Sequence, residues 1–214
     1  MGAVHLTEIG SGFWRWTAPH PDWTPESEWG RDVSSVYYEA PRDVCLIDPL
    51  VPAGEEERFW RALDRDVERV GKPVAILLTV PWHRRSAQVI GERYGAESEG
   101  WELSLRSREP PLGVEAIEVA HTDERIFWLP QHRALVAGDV LLGVGGGDLS
   151  VCPVSWVTRE ESYPEDFVAS LRRLLQLPVE TVLVSHGEAV LSRGGAALRE
   201  AIEVARERAE RKRC

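Results

Sequence analysis

The stretch PVAILLTVPWHRRSA, residues 73–87, runs from a strand through a short loop into a helix. PVAILLT (73–79) is a nearly continuous apolar run, which predicts a strand covered on both faces. Ser86 to Tyr94 reads as a helix, ended by Gly95. The loop between them holds Trp82, His83, Arg84 and Arg85. Loops at strand ends often carry function because the strands hold them in place. In this loop only His83 is a good metal ligand.

Upstream, VSSVYYEA (33–40) and DVCLIDPL (43–50) are two β-type runs about a turn at Pro41–Arg42, which predicts a hairpin. Pro52–Gly54 leads into a helix whose Phe59, Leu63, Val67 and Val70 share one face. Glu55, Glu56 and Glu57 suit its first turn and Gly71 its end. Residues 1–31 are rich in Trp and Pro and show little periodicity. Downstream, GVEAIEVA (113–120), RIFWL (125–129) and ALVA (134–137) read as strands. Gly143 to Asp148 fails the GxGxxG pattern and reads as a flexible loop. Residues 164–176 form a helix with Phe167, Leu171, Leu174 and Leu175 on one side. VETVLVSHG (179–187) is another apolar strand, and a final amphipathic helix starts at Ser192 or Gly194. Its RERAERKRC end reads as a solvated helix tail.

Each half supplies strands first and helices after. Two sheets stacked face to face with helices outside cover every apolar strand. The expected fold is therefore α/β, a four-layer αββα sandwich. No linker interrupts the chain, so residues 1–214 are read as a single domain, with 1–31 covering a pocket or forming an interface.

Composition narrows the function classes. The chain has 214 residues, 43% of them hydrophobic, enough for a sizeable core. A net charge of −10 argues against a general nucleic-acid surface. Three cysteines, Cys45, Cys152 and Cys214, lie far apart, which disfavours a disulfide scaffold or a thiolate zinc site. Cys45 and Cys152 read as small buried apolar residues. No secretory pattern opens the sequence and no apolar run is long enough to span a membrane. The expectation is a cytoplasmic protein without a membrane partner. Nine tryptophans are unusual, and Trp14, Trp16, Trp23, Trp29 and Trp60 fall early in the chain. They read mainly as packing anchors. The sharper alternative is an aromatic pocket wall or an interface between copies of the chain.

His83, Asp139 and His186 each follow an apolar strand, and His121 follows GVEAIEVA. His and Asp are suitable ligands for zinc, iron or manganese. A nucleophile triad from Ser86 or Ser150 lacks the GxSxG elbow.

In order, these segments resemble the metallo-β-lactamase superfamily. DVCLIDPLVP resembles the strand-turn that begins its domains. ILLT with a histidine-bearing loop and a helix resembles its main metal motif. HTDERIFWLPQHRALVAGDVLLG resembles its third-histidine segment and following Gly-Asp, and LVSHGEAVL its last-histidine segment. The resemblance covers roughly residues 33–205 and implies the same sandwich.

The departure lies in the opening loop. The family's motif reads T-H-x-H-x-D-H. Here Thr79 is followed by Val80, Trp82, Arg84 and Arg85 at the four ligand positions. None of them is an ordinary metal ligand. Two guanidiniums would also repel a second dication. The resemblance leaves His121, Asp139 as the bridging acid, and His186, with His83 one residue off register. This implies an eroded metal site without the usual dinuclear hydrolase activity and with no resident cofactor. In that reading Asp139 and His186 are the surviving catalytic positions. Trp82, Arg84 and Arg85 line a pocket for a small anionic ligand, one of the arginines pairing with Asp139. The alternative is a mononuclear hydrolase of an ester, amide or phosphate bond, its one zinc, iron or manganese ion held by His83, His121, Asp139 and His186.

Overall fold

The computed structural model describes residues 4–96, 109–158 and 163–211. The chain divides into two compact units, Met1–Glu115 and Ala116–Cys214. Cys214 lies outside the described residues.

The first unit holds a five-stranded sheet. Its strands are β1 (His5–Gly10), β2 (Phe13–Pro19), β3 (Asp32–Glu39), β4 (Val44–Ile47) and β5 (Val74–Leu77), in that spatial order. The first four strands pair antiparallel and β4 pairs parallel with β5. A parallel neighbour requires a crossover, and α1 (Glu56–Val70) supplies it. Phe59, Leu63, Val67 and Val70 of α1 pack on Trp16, Tyr37, Val44, Leu46 and Val74 of the sheet. The helix stops at Gly71, as its sequence predicts. The loop after β5 leads into α2 (Ala87–Tyr94).

Residues 1–31 show little periodicity in sequence and yet hold β1 and β2. Phe13 and Trp16 are buried on opposite faces of β2, so its apolar residues do not alternate. Pro19 sits only at the end of β2, and Pro21 and Pro25 fall beyond it, where they remove no ladder hydrogen bond.

The second unit holds a four-stranded sheet of β6 (Glu115–Glu118), β7 (Arg125–Leu129), β8 (Ala134–Ala137) and β11 (Thr181–Val184), in the order β11-β8-β7-β6. β8 and β11 are parallel. A separate antiparallel hairpin joins β9 (Leu141–Gly145) to β10 (Asp148–Val151). This corrects the reading of Gly143–Asp148 as a flexible loop. Gly145, Gly146 and Gly147 all have positive φ, so the glycine run is the chemistry of a tight hairpin turn. Residues 163–176 are helical but change character: a π turn (Tyr163–Phe167), α3 (Val168–Leu171) and a 3-10 turn (Arg172–Gln176) follow one another. Phe167, Leu171 and Leu174 are still buried. They share a core with Leu198, Ala201, Ile202 and Ala205 of α4 (Gly194–Arg211) and with Leu135, Val182 and Val184 of the sheet. Cys45 and Cys152 are both buried and free. Among the described residues no helix is long and apolar enough to cross a membrane.

Candidate functional site

Each unit places an Asp and a His at the C-terminal ends of two adjacent parallel strands. That edge is where open α/β sheets gather polar chemistry.

In the first unit the pair is Asp48, just past β4, and His83, in the loop after β5. Asp48 N–H donates to the Leu77 carbonyl at 3.0 Å, which ties the two strand ends together. The Thr79 N–H donates to Asp48 Oδ1 at 2.8 Å, and the Thr79 hydroxyl donates to Oδ2. His83 Nδ1 lies 3.0 Å from Asp48 Oδ2 and 3.1 Å from Thr79 Oγ1. Both side chains are buried, 7% and 4% exposed, so the pair is shielded from water. A carboxylate on Nδ1 puts the ring proton there and leaves the lone pair on Nε2.

The four positions where the family motif expects ligands are otherwise employed. Val80 is buried. Trp82 is 60% exposed and so does not wall an enclosed pocket on its own. Arg84 Nε donates to the Pro81 carbonyl at 3.2 Å. Arg85 Nη1 donates to the carbonyls of Ser34 and of Asp48, the latter at 2.9 Å. Asp48 and Arg85 both have positive φ, a strained conformation for residues with a Cβ. The Ser35 hydroxyl adds a 2.7 Å bond to the Asp48 carbonyl. The loop is thus built around holding the Asp48 turn.

In the second unit Asp139 follows β8 and His186 follows β11. Ser185 N–H donates to the Ala137 carbonyl at 3.0 Å, setting the strand ends level. His186 Nε2 lies 3.2 Å from Asp139 Oδ1, with side chains 11% and 16% exposed. Trp156 stands edge-on to the His186 ring, centroids 6.5 Å apart. After His186 the chain passes very close to β9: the Gly143 N–H donates to the His186 carbonyl at 3.0 Å. A Cβ on Gly187 would meet the Gly143 carbonyl oxygen at 2.0 Å, so only glycine fits there.

The turn that carries Asp139 is held by a residue absent from the sequence reading, Glu124. Its carboxylate is 1% exposed and accepts the N–H groups of Gly138, Asp139 and Val140 at 2.8, 2.7 and 2.8 Å. Burial first, and the Asp139 charge second, push Glu124 up to about 8, while the three amides pull the other way. The sequence carries no distinct signal for it, because Glu124 lies in the polar run HTDER, which reads as surface. Thr79 is read from sequence only as the start of the motif and Asp48 only as part of DVCLIDPLVP, although both hold His83.

His121 stands apart from this arrangement in its contacts. It has positive φ, and its Nε2 lies 3.2 Å from Asp166 Oδ2. Its carbonyl accepts the Thr158 N–H at 3.1 Å. Its Nε2 is thus engaged by a carboxylate other than Asp139.

A divalent ion sets a spacing that the donor atoms of the second unit can be compared with. Two ligand bonds of about 2.1 Å, at tetrahedral to octahedral angles, separate the donor atoms by about 3.0–3.4 Å. The 3.2 Å between His186 Nε2 and Asp139 Oδ1 fits that edge. It is longer than a charge-assisted hydrogen bond, which runs to about 2.9 Å. In the first unit the carboxylate on His83 Nδ1 is the usual outer partner of a metal-binding histidine.

No protein-family model matches the sequence, and no curated protein matches it. Solved structures do match in fold. VMB-1 is 13% identical with a TM-score of 0.62, over 96% of this chain and 98% of that one. A metallo-β-lactamase from Erythrobacter litoralis is 17% identical with a TM-score of 0.60, over 96% and 93%. FIM-1 from Pseudomonas aeruginosa, in its mono-zinc form, is 15% identical with a TM-score of 0.57, over 98% and 96%. The fold is that of the metallo-β-lactamases, the expected α/β sandwich.

Proposed function

We propose that this chain is a metallo-β-lactamase-fold protein whose dinuclear centre is eroded, and that it lacks the hydrolase chemistry of a metal pair. One observation carries the reading. At the four positions where the motif expects ligands stand a buried Val80, an exposed Trp82, and Arg84 and Arg85 bonded to backbone carbonyls. None of the four has a lone pair to offer a metal. Asp139 and His186 persist as an adjacent carboxylate–imidazole pair, 3.2 Å apart. A small anion is the ligand class the Arg84 and Arg85 guanidiniums accept, since their forks match carboxylate and phosphate.

A second reading keeps one zinc, iron or manganese ion, with His83, His121, Asp139 and His186 as the ligands the sequence resemblance implies. Two observations favour it: Asp48 orients His83 through Nδ1, and the His186–Asp139 spacing fits a coordination edge. The Asp166 contact of His121 at Nε2 means that His121 would have to ligate through Nδ1. A bound ion would supply an acidified water for attack on an ester, amide or phosphate bond. The chain's own residues would do the rest. Asp48 fixes the His83 tautomer, Glu124 holds the Asp139 turn, and Trp156 limits water around His186.

Metal analysis of protein purified without chelators separates the readings. The eroded site predicts no stoichiometric metal. One equivalent, lost in His186→Ala, supports the mononuclear reading. Two tightly bound equivalents overturn both.

A further inference from the structure

The sheet of the first unit runs on past α1, and this leaves an aromatic hollow. Register sets Leu6 opposite Trp16 and Glu8 opposite Trp14 on β1 and β2, and Trp14 opposite Tyr37 on β3. Alternation puts these side chains on the face that α1 covers further along. Together with Phe59 of α1 they line a cavity of about 490 Å³. That volume suits a small molecule. Neither Asp48 nor His83 lines it.

The walls are rigid and aromatic. Trp16 is locked by its Nε1–H on the Leu50 carbonyl at 2.9 Å and lies tilted against Phe59, centroids 5.7 Å apart. Leu6, 66% exposed, stands at the mouth.

The charges around the rim do not cancel. Four carboxylates and three guanidiniums line the cavity. Arg58 pairs with Glu55, Arg65 with Asp66, and Arg69 with Glu39 and Asp66. The Glu8 carboxylate makes no hydrogen bond or ion pair among the described residues. The cavity therefore offers ring faces, each with a negative quadrupole, and one unpartnered carboxylate. Anions are repelled by that carboxylate, and a neutral guest gains nothing from it. A cation gains from both.

We propose that this cavity binds a small organic cation with an apolar or aromatic body, its body among Trp14, Trp16 and Phe59 and its head at Glu8. This would use two of the early tryptophans as a pocket wall rather than as packing alone. It stands apart from the reading of the carboxylate–histidine pairs.

The test compares benzyltrimethylammonium with neopentylbenzene, its neutral isostere, by tryptophan fluorescence on the full chain. The cation is expected to bind saturably and about fivefold or more tightly than the isostere. Glu8→Gln changes an exposed residue on an edge strand, so the fold is kept. It should narrow that preference roughly threefold. Trp14→Leu should weaken the cation more than the isostere. Equal affinity for both probes, or a preference unchanged in Glu8→Gln, would overturn the proposal. So would absence of saturable binding in the millimolar range, or sedimentation showing a dimer that excludes the probe.

Discussion

The two carboxylate–histidine pairs share a plan and differ in what holds them. Both sit at the ends of adjacent parallel strands, β4 with β5 and β8 with β11. In the first, the carboxylate grips His83 through Nδ1 and also binds Thr79 through both oxygens. Asp48 is thus an anchor, and the work left to His83 falls to Nε2. In the second, Asp139 faces His186 at Nε2, the nitrogen through which chemistry would pass. The anchoring is delegated to Glu124, which takes the backbone amides of the Asp139 turn. One carboxylate builds structure, and the other is held ready by a third residue. That division is what a retained single site requires.

The largest expected effect would break the second half of this comparison. Glu124→Gln replaces an acceptor oxygen by an NH₂ group, so at least one buried amide loses its partner. Stability should fall by about 2–3 kcal/mol in urea denaturation. A loss no larger than that of a surface substitution would show that Glu124 does not hold the turn. The same variant has a pH signature. Glu124 titrates at about 8 in the folded chain against an ordinary 4.5, so the folded chain keeps a proton the unfolded chain has lost. Its contribution is full below pH 4.5 and is lost as pH rises through about 8, with a slope of up to about 1.4 kcal/mol per pH unit. Glu124→Gln should flatten that slope. A slope that survives the substitution assigns it to other groups.

A smaller effect sharpens the first half. Asp48→Asn keeps an acceptor for the Thr79 N–H and turns an NH₂ group toward His83 Nδ1 and the Thr79 hydroxyl. A loss of about 1–2 kcal/mol is expected. The His83 proton should move from Nδ1 to Nε2, read by nitrogen NMR of the ring. An unchanged tautomer would mean that Asp48 does not set it.

Much of the frame was legible because burial leaves periodic marks. The apolar runs of β4, β5, β8 and β11, and the stripe of Phe59, Leu63, Val67 and Val70, lie where their spacing predicts. β2 was hidden because Phe13, Trp14 and Trp16 place apolar side chains on both of its faces, and β1 because HLTEIG has only two aliphatic side chains. The β9–β10 hairpin was hidden because a glycine run signals a tight turn and a loose loop equally well. At the site, Asp139 and His186 were legible from their strand-end positions. Glu124, Asp48 and Thr79 were not, because their role is to satisfy buried backbone and ring N–H groups that exist only once the strands are paired. His121 reads as a ligand by its position in the chain, and its contact with Asp166, 45 residues away, could not be read from spacing.

The most direct test of the central claim is a calorimetric titration of zinc into metal-free protein, which counts sites independently of growth conditions. The account predicts at most one equivalent, and that equivalent absent in His186→Ala. Two tight sites per chain would contradict it.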